Sequence, residues 1–199
     1  MKTLIFDFGG VLVDWNPHYV FDSYFNDKEK CDYFIKNICN TEWNSQMDAG
    51  KPFAVAVAER SAEYPEWAPE IEYYWTHWRQ MLDAAIPGMY ELVKELKDKG
   101  YRIYGLTNWS SETFYTICDD FPVFSLLDGK VVSGDEKVIK PDPKIFNILL
   151  ERFSLCPKDC IFIDDNMTNV NAAKALGIGG VQFESESQLR SYFESEGIL

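Results

Sequence analysis

The stretch PGMYELVKELKDKGYRIYGLTN, residues 87–108, decides the fold. Met89, Leu92, Val93 and Leu96 recur at helical spacing, Pro87 opens the run and Gly100 closes it, so a helix is expected. Directly behind it, YRIYGLTN (101–108) reads as a buried strand that ends in polar residues. A helix feeding a strand is half of a strand–helix–strand unit, and the alternation recurs on both sides. KTLIF at 2–6 is a short apolar strand running into glycines. PKIFNILLERF (143–153) is an amphipathic helix begun by a proline, and CIFID (160–164) is a buried strand. TNVNAAKALG (168–177) is a helix closed by Gly177, and GVQF (180–183) is a further strand. Such alternation requires an α/β architecture, a Rossmann-like, doubly wound parallel sheet with helices on both faces. Sheets of this kind bind ligands beyond the carboxyl ends of their strands.

Residues 16–86 follow a different pattern. HYVFDSYF, CDYFIKNI, FAVAVAERSA and IEYYWTHWRQMLDA are helical patterns separated by Asn, Asp, Gly and Pro. The expected organisation is therefore a core made of 1–15 and 87–199, with 16–86 inserted as a helical cap. The insert's many Trp and Tyr residues read as its own packing core, and His77 reads as packed among them.

Composition narrows the partners. Of 199 residues, 46% are hydrophobic and the net charge is −13, with no basic stripe, so no nucleic acid partner is expected. No apolar run approaches the roughly 18 residues of a membrane helix, so no membrane partner is expected either. Five cysteines without a Cys-x-x-Cys pair and without a signal-peptide pattern read as reduced thiols in a cytoplasmic protein. Cys156 and Cys160 lack a second ligand pair for zinc and read as packing.

Four features stand after or near predicted strands: Asp7, Thr107-Asn108, Lys140 within VIKPDP, and Asp164-Asp165-Asn166. Adjacent carboxylates repel unless a cation lies nearby, and an oxygen-rich pair such as Asp7 and Asp165 suits Mg²⁺. A threonine hydroxyl and a lysine ammonium donate to phosphate-type oxygens. Each feature alone is ordinary turn or capping sequence. Together, in this order, they describe metal-assisted attack on a phosphoryl group.

FDFGGVL, LTN, KPDP and IDDN resemble, in that order, the four motifs of the haloacid dehalogenase-like hydrolases, and the resemblance spans nearly the whole chain. It implies Asp7 as nucleophile and Mg²⁺ ligand, the Gly9 carbonyl and Asp165 as further ligands, and Asp164 assisting. It implies Thr107 and Lys140 as holders of the transferring group, Lys140 also steadying Asp7, and a backbone donor from Asn108. The substrate implied is a small phosphorylated metabolite, and the protein a monomer or homodimer. Two departures stand out. The usual second aspartate, a general acid and base, is replaced by Gly9, and Asn169 stands where many relatives carry aspartate. The DDNxxN form is similar to a subgroup holding a bacterial sugar-1-phosphate phosphatase and the amino-terminal domain of soluble epoxide hydrolases. Two other readings stay open: a metal-free 2-haloacid dehalogenase with Asp7 attacking carbon, and a catalytically weak phosphate-binding protein. Candidate contributors to substrate choice are Trp15, Asn16, His18, Trp43, Met47 and Trp109. His18 is either the missing proton carrier or a surface or packing residue.

Overall fold

In the computed structural model, which describes residues 2–199, the KTLIF run becomes strand β1 (Thr3–Phe6), with all four side chains buried. The remaining strands are β2 (Val13–Trp15), β3 (Leu82–Ala85), β4 (Arg102–Thr107), β5 (Gly129–Val132), β6 (Cys160–Asp164) and β7 (Gly179–Gln182). Five of them form one sheet in the order β5-β4-β1-β6-β7, with every neighbouring pair parallel. This is the expected Rossmann-like α/β architecture. Strand β5 adds to it. Its four residues, GKVV, are too short and half polar to show a period, and their place at the sheet edge supplies the pairing that their composition does not.

Side chains alternate between the faces of β1. Leu4 and Phe6 join Leu92, Val93 and Leu96 of the helix Met89–Asp98. Ile5 joins Ile145, Phe146 and Leu149 of the helix Pro143–Arg152, and Ala173 of the helix Met167–Ala175. Each fully buried side chain of this size contributes about 1.5–3 kcal/mol. Register places Phe6 opposite Gly105 and Ile163, so the residues that follow β1, β4 and β6 emerge on one rim of the sheet.

Strands β2 and β3 form a separate antiparallel ribbon, pairing Val13 with Ala85 and Trp15 with Leu82, with a register shift between them. With three and four residues they leave too little alternation to be read in advance. Between them run helices that include His18–Phe25, Thr41–Asp48, Phe53–Glu63 and Ala68–Thr76. Their interior is aromatic. Phe21 lies 4.7 Å from Phe34 and Trp43 5.2 Å from Tyr74, ring centre to ring centre. Trp43 and Met47 are buried here, and His77 stacks on Tyr73 at 3.5 Å, as a packed histidine should. Among the described residues no helix is long and apolar enough to cross a membrane.

One glycine carries a packing requirement. A Cβ at Gly105 would lie 2.3 Å from two ring carbons of Phe8. The ring therefore rests directly on the backbone of β4 and anchors the residue that follows Asp7. Gly105→Ala is expected to displace Phe8 and cost about 1–3 kcal/mol. Urea unfolding would show it as a lowered midpoint, and an unchanged midpoint would mean the ring is free to move.

Candidate active site

The rim collects the expected residues. The Asp7 N–H donates to the Ile163 carbonyl at 2.9 Å, extending the β1–β6 ladder by one residue and aiming the carboxylate off the sheet. Asp7 Oδ1 accepts from the Phe8 N–H at 2.7 Å and lies 2.8 Å from Lys140 Nζ. The same ammonium donates to Asp164 Oδ2 at 2.7 Å. Asp164 is wholly buried, and its Oδ1 also accepts from the Asn166 N–H at 2.8 Å. Asn169 donates its amide to both Asp164 oxygens, at 3.2 and 3.1 Å. The departure at position 169 thus has a reason here: a neutral donor serves Asp164 where an aspartate would add a like charge.

Asp165 approaches from the next position. Gly10, at φ +74°, allows this, because a Cβ there would come within 2.9 Å of the Asp165 carboxylate. Asp7, Asp164 and Asp165 offer oxygens that all lie within 4.8 Å of one another. One ammonium faces three carboxylates, and the imbalance shows in their titration. Burial pushes Asp7 up to about 7, opposed by the charge of Lys140 and reinforced by Asp164. Burial and then Asp164 push Asp165 up as well. Burial pulls Lys140 down, but Asp7 and Asp164 outweigh it and hold the ammonium protonated. An oxygen-preferring divalent cation fits this donor set and this charge excess.

Thr107 ends β4 with its hydroxyl buried and without a partner. A buried hydroxyl left unpaired is costly, and an incoming oxygen would satisfy it. The Asn108 side chain is already committed. It accepts from the Lys140 N–H at 2.8 Å and donates to the Lys140 carbonyl at 3.0 Å, tying the loop after β4 to the loop that carries the ammonium.

Above the rim lies a cavity of about 310 Å³, lined by Gly9, Asn108 and Asp165 and by the indoles of Trp15, Trp78 and Trp109. A Cβ at Gly9 would meet nothing within 4 Å. Trp15 Nε1 is buried and unpartnered. Of the candidate contributors, Trp15 and Trp109 line this cavity, whereas Trp43 and Met47 are packing. Asn16 and His18 line a different cavity, where His18 Nδ1 lies 2.8 Å from Asp22 Oδ1. Of the two readings of His18, its place agrees with the surface or packing one: the helix His18–Phe25 turns it toward its own Asp22. Asp48 also lines the cavity of Gly9, and sequence reasoning did not single it out. Cys160 donates its thiol to the Cys156 carbonyl at 3.3 Å, and both are free thiols.

The chain is similar to known proteins to different depths. A sesquiterpene phosphatase of Aspergillus oryzae is 30% identical over 90% of this chain and 88% of its own length. An (S)-2-haloacid dehalogenase of Burkholderia cepacia is 25% identical over 55% of this chain and 47% of its own. A haloacid dehalogenase family enzyme of Bacteroides thetaiotaomicron, solved as a magnesium complex, superposes with a TM-score of 0.76. It covers 97% of this chain and 98% of its own, at 22% identity, and so shares the fold. The profile of haloacid dehalogenase-like hydrolases matches residues 1–177, which takes in the rim from Asp7 to Asn169, and the chain belongs to that family.

Proposed function

We propose that the protein is a Mg²⁺-dependent phosphatase of a small phosphorylated metabolite, acting through an aspartyl-phosphate on Asp7. The observation that carries this reading is the buried group of Asp7, Lys140 and Asp164 beside Asp165, with the Thr107 hydroxyl left unpaired. Asp7, Asp165 and the Gly9 carbonyl would hold the cation, with Asp164 assisting. Bound there, Mg²⁺ would supply positive charge against the phosphoryl oxygens and the acidic cluster. Lys140 offsets part of the burial that raises Asp7 and orients it for attack on phosphorus, and its ammonium offers charge to the transferring group. Thr107 donates its hydroxyl to a phosphoryl oxygen, and the Asn108 backbone adds a donor. Asp164 and Asn169 fix Lys140 in place. The indole walls favour a metabolite with an apolar body, in line with the A. oryzae relative's description as a sesquiterpene phosphatase.

The dehalogenase reading has two observations behind it, the absence of a carboxylate at Gly9 and the partial likeness to the B. cepacia dehalogenase. The Asp164-Asp165 pair weighs against it, because a metal-free reaction gives that charge no counterpart. A panel of phosphoesters, with Mg²⁺ or with chelator, separates the two. Phosphate release that disappears with chelator is the expected result. Chloride release from 2-chloropropionate in chelator, with no phosphate release from any ester, would replace the phosphatase by the dehalogenase.

A second measurement addresses the cation alone. Thermal unfolding should shift upward with Mg²⁺, by about 2.7 kcal/mol of stability at a hundredfold excess over Kd. The shift should vanish in Asp165→Asn. An equal shift in that variant would place the cation elsewhere.

A further inference from the structure

Gly9 leaves the rim without a group to carry protons, yet expulsion of an alkoxide needs one, and so does activation of the water that frees Asp7. The side chain that could do this must reach the cavity above Gly9, carry a titratable proton, and be free of the Lys140 network. Among the described residues that line this cavity, the ionisable ones are Asp165 and Asp48. Asp165 belongs to the carboxylate cluster with Asp7 and Asp164. Asp48 does not. It is the last residue of the helix Thr41–Asp48, and so enters the cavity from the helical insert rather than from the sheet.

We propose that Asp48 protonates the departing oxygen and then deprotonates the attacking water, filling from the insert the role that Gly9 vacates. The inference rests on the phosphatase reading. In the first step an Asp7 oxygen bonds to phosphorus, the bond from phosphorus to the ester oxygen breaks, and that oxygen takes the proton of the Asp48 carboxyl. In the second, a water oxygen bonds to phosphorus, the bond to Asp7 breaks, and the Asp48 carboxylate takes the water's proton. Alcohol and phosphate leave, and Asp48 is protonated again.

The surroundings of Asp48 suit both steps. Its Oδ2 accepts from Asn44 Nδ2 at 3.1 Å, which fixes the carboxyl on its own helix. The Asp48 carbonyl accepts from Ser133 Oγ at 2.6 Å, which anchors the end of that helix to the start of Ser133–Glu136 beside β5. Burial pushes the Asp48 carboxyl up to about 7, against the Ser110 N–H, Asn44 and the charge of Lys140. A carboxyl poised there is present in both forms near neutral pH, as a group that alternates between acid and base requires. The other titratable groups facing it are Tyr74 from the helix Ala68–Thr76 and Asp165 across the cavity.

The test compares two esters in the Mg²⁺-loaded protein. One is p-nitrophenyl phosphate, whose leaving group departs unprotonated, and the other is an alkyl phosphate that the unaltered protein turns over. In Asp48→Asn, alkyl turnover should fall by about 10²–10⁴-fold. The p-nitrophenol burst, one equivalent per protein, should persist and be followed by slow release, because hydrolysis of the aspartyl-phosphate has lost its base. Adding Gly9→Asp, where a Cβ has nothing within 4 Å, should restore alkyl turnover at least in part. Loss of the p-nitrophenol burst, unchanged alkyl turnover, or no restoration in a folded double variant would each overturn the role of Asp48. Those outcomes leave the phosphatase reading standing. Absence of phosphate release by the unaltered protein on every ester removes that reading, and the role of Asp48 with it.

Discussion

Asp7→Asn should lower phosphate release by roughly 10⁴-fold or more while the protein stays folded. The amide cannot form the covalent intermediate, but it keeps the shape of the carboxylate and can still accept from the Phe8 N–H and from Lys140, the two contacts that fix Asp7. Stability should not suffer. A carboxyl raised to about 7 in the fold, against 3.8 unfolded, contributes stability that is complete below about 3.8 and lost as pH rises through about 7. At pH 8 and without metal, the ionised Asp7 is thus a burden that the amide does not carry. Asp7→Asn should therefore melt at or above the unaltered protein under those conditions. Turnover within tenfold of the unaltered protein would remove Asp7 as nucleophile. Normal melting with lost turnover is the outcome that a nucleophile requires.

Lys140→Met should be the most destabilising of the rim substitutions. The ammonium is 1% exposed and lies within 2.8 Å of Asp7 and 2.7 Å of Asp164, themselves 11% and 0% exposed. Methionine keeps most of the volume, so the loss isolates the charge. Removing one partner of a buried ion pair costs about 3–5 kcal/mol, because it strands an uncompensated charge, and here two carboxylates are stranded. The missing charge would raise Asp7 still further, so turnover falls as well. Urea unfolding in chelator, followed by Mg²⁺ titration, measures both effects, and added Mg²⁺ should return part of the lost stability. An unfolding midpoint equal to that of the unaltered protein would mean that Lys140 does not hold the acids together.

The sequence made the rim legible because each of its parts ends a conspicuous apolar run. Ile5-Phe6, Gly105-Leu106 and Phe162-Ile163 mark three strand ends, and the parallel register brings the next residues together. What lay beyond it was pairing that only the third dimension supplies. Strand β5 needs the neighbouring β4 to exist as a strand, and β2 and β3 need each other across the whole insert. Asn169 was visible as a departure, but its use became clear only from the Asp164 oxygens that it meets. Asp48 was hidden by its setting, since an acid in an amphipathic helix reads as a solvated face. One signal was present. A carboxylate in the last turn of a helix sits at the negative end of the helix dipole, an unfavourable position for ordinary surface charge.

The β2–β3 ribbon carries both chain crossings between the sheet and the helices from His18 to Met81. Its ladder is lengthened by the Asn16 N–H to the Met81 carbonyl and by the Ile86 N–H to the Leu12 carbonyl, at 2.8 and 2.9 Å. Any swing of those helices relative to the sheet has to turn on this ribbon, where the register shift between Val13 and Trp15 is the natural place to bend. Trp15 sits on the ribbon and on the cavity wall at once. A ligand that presses on Trp15 therefore presses on the ribbon that joins insert to sheet.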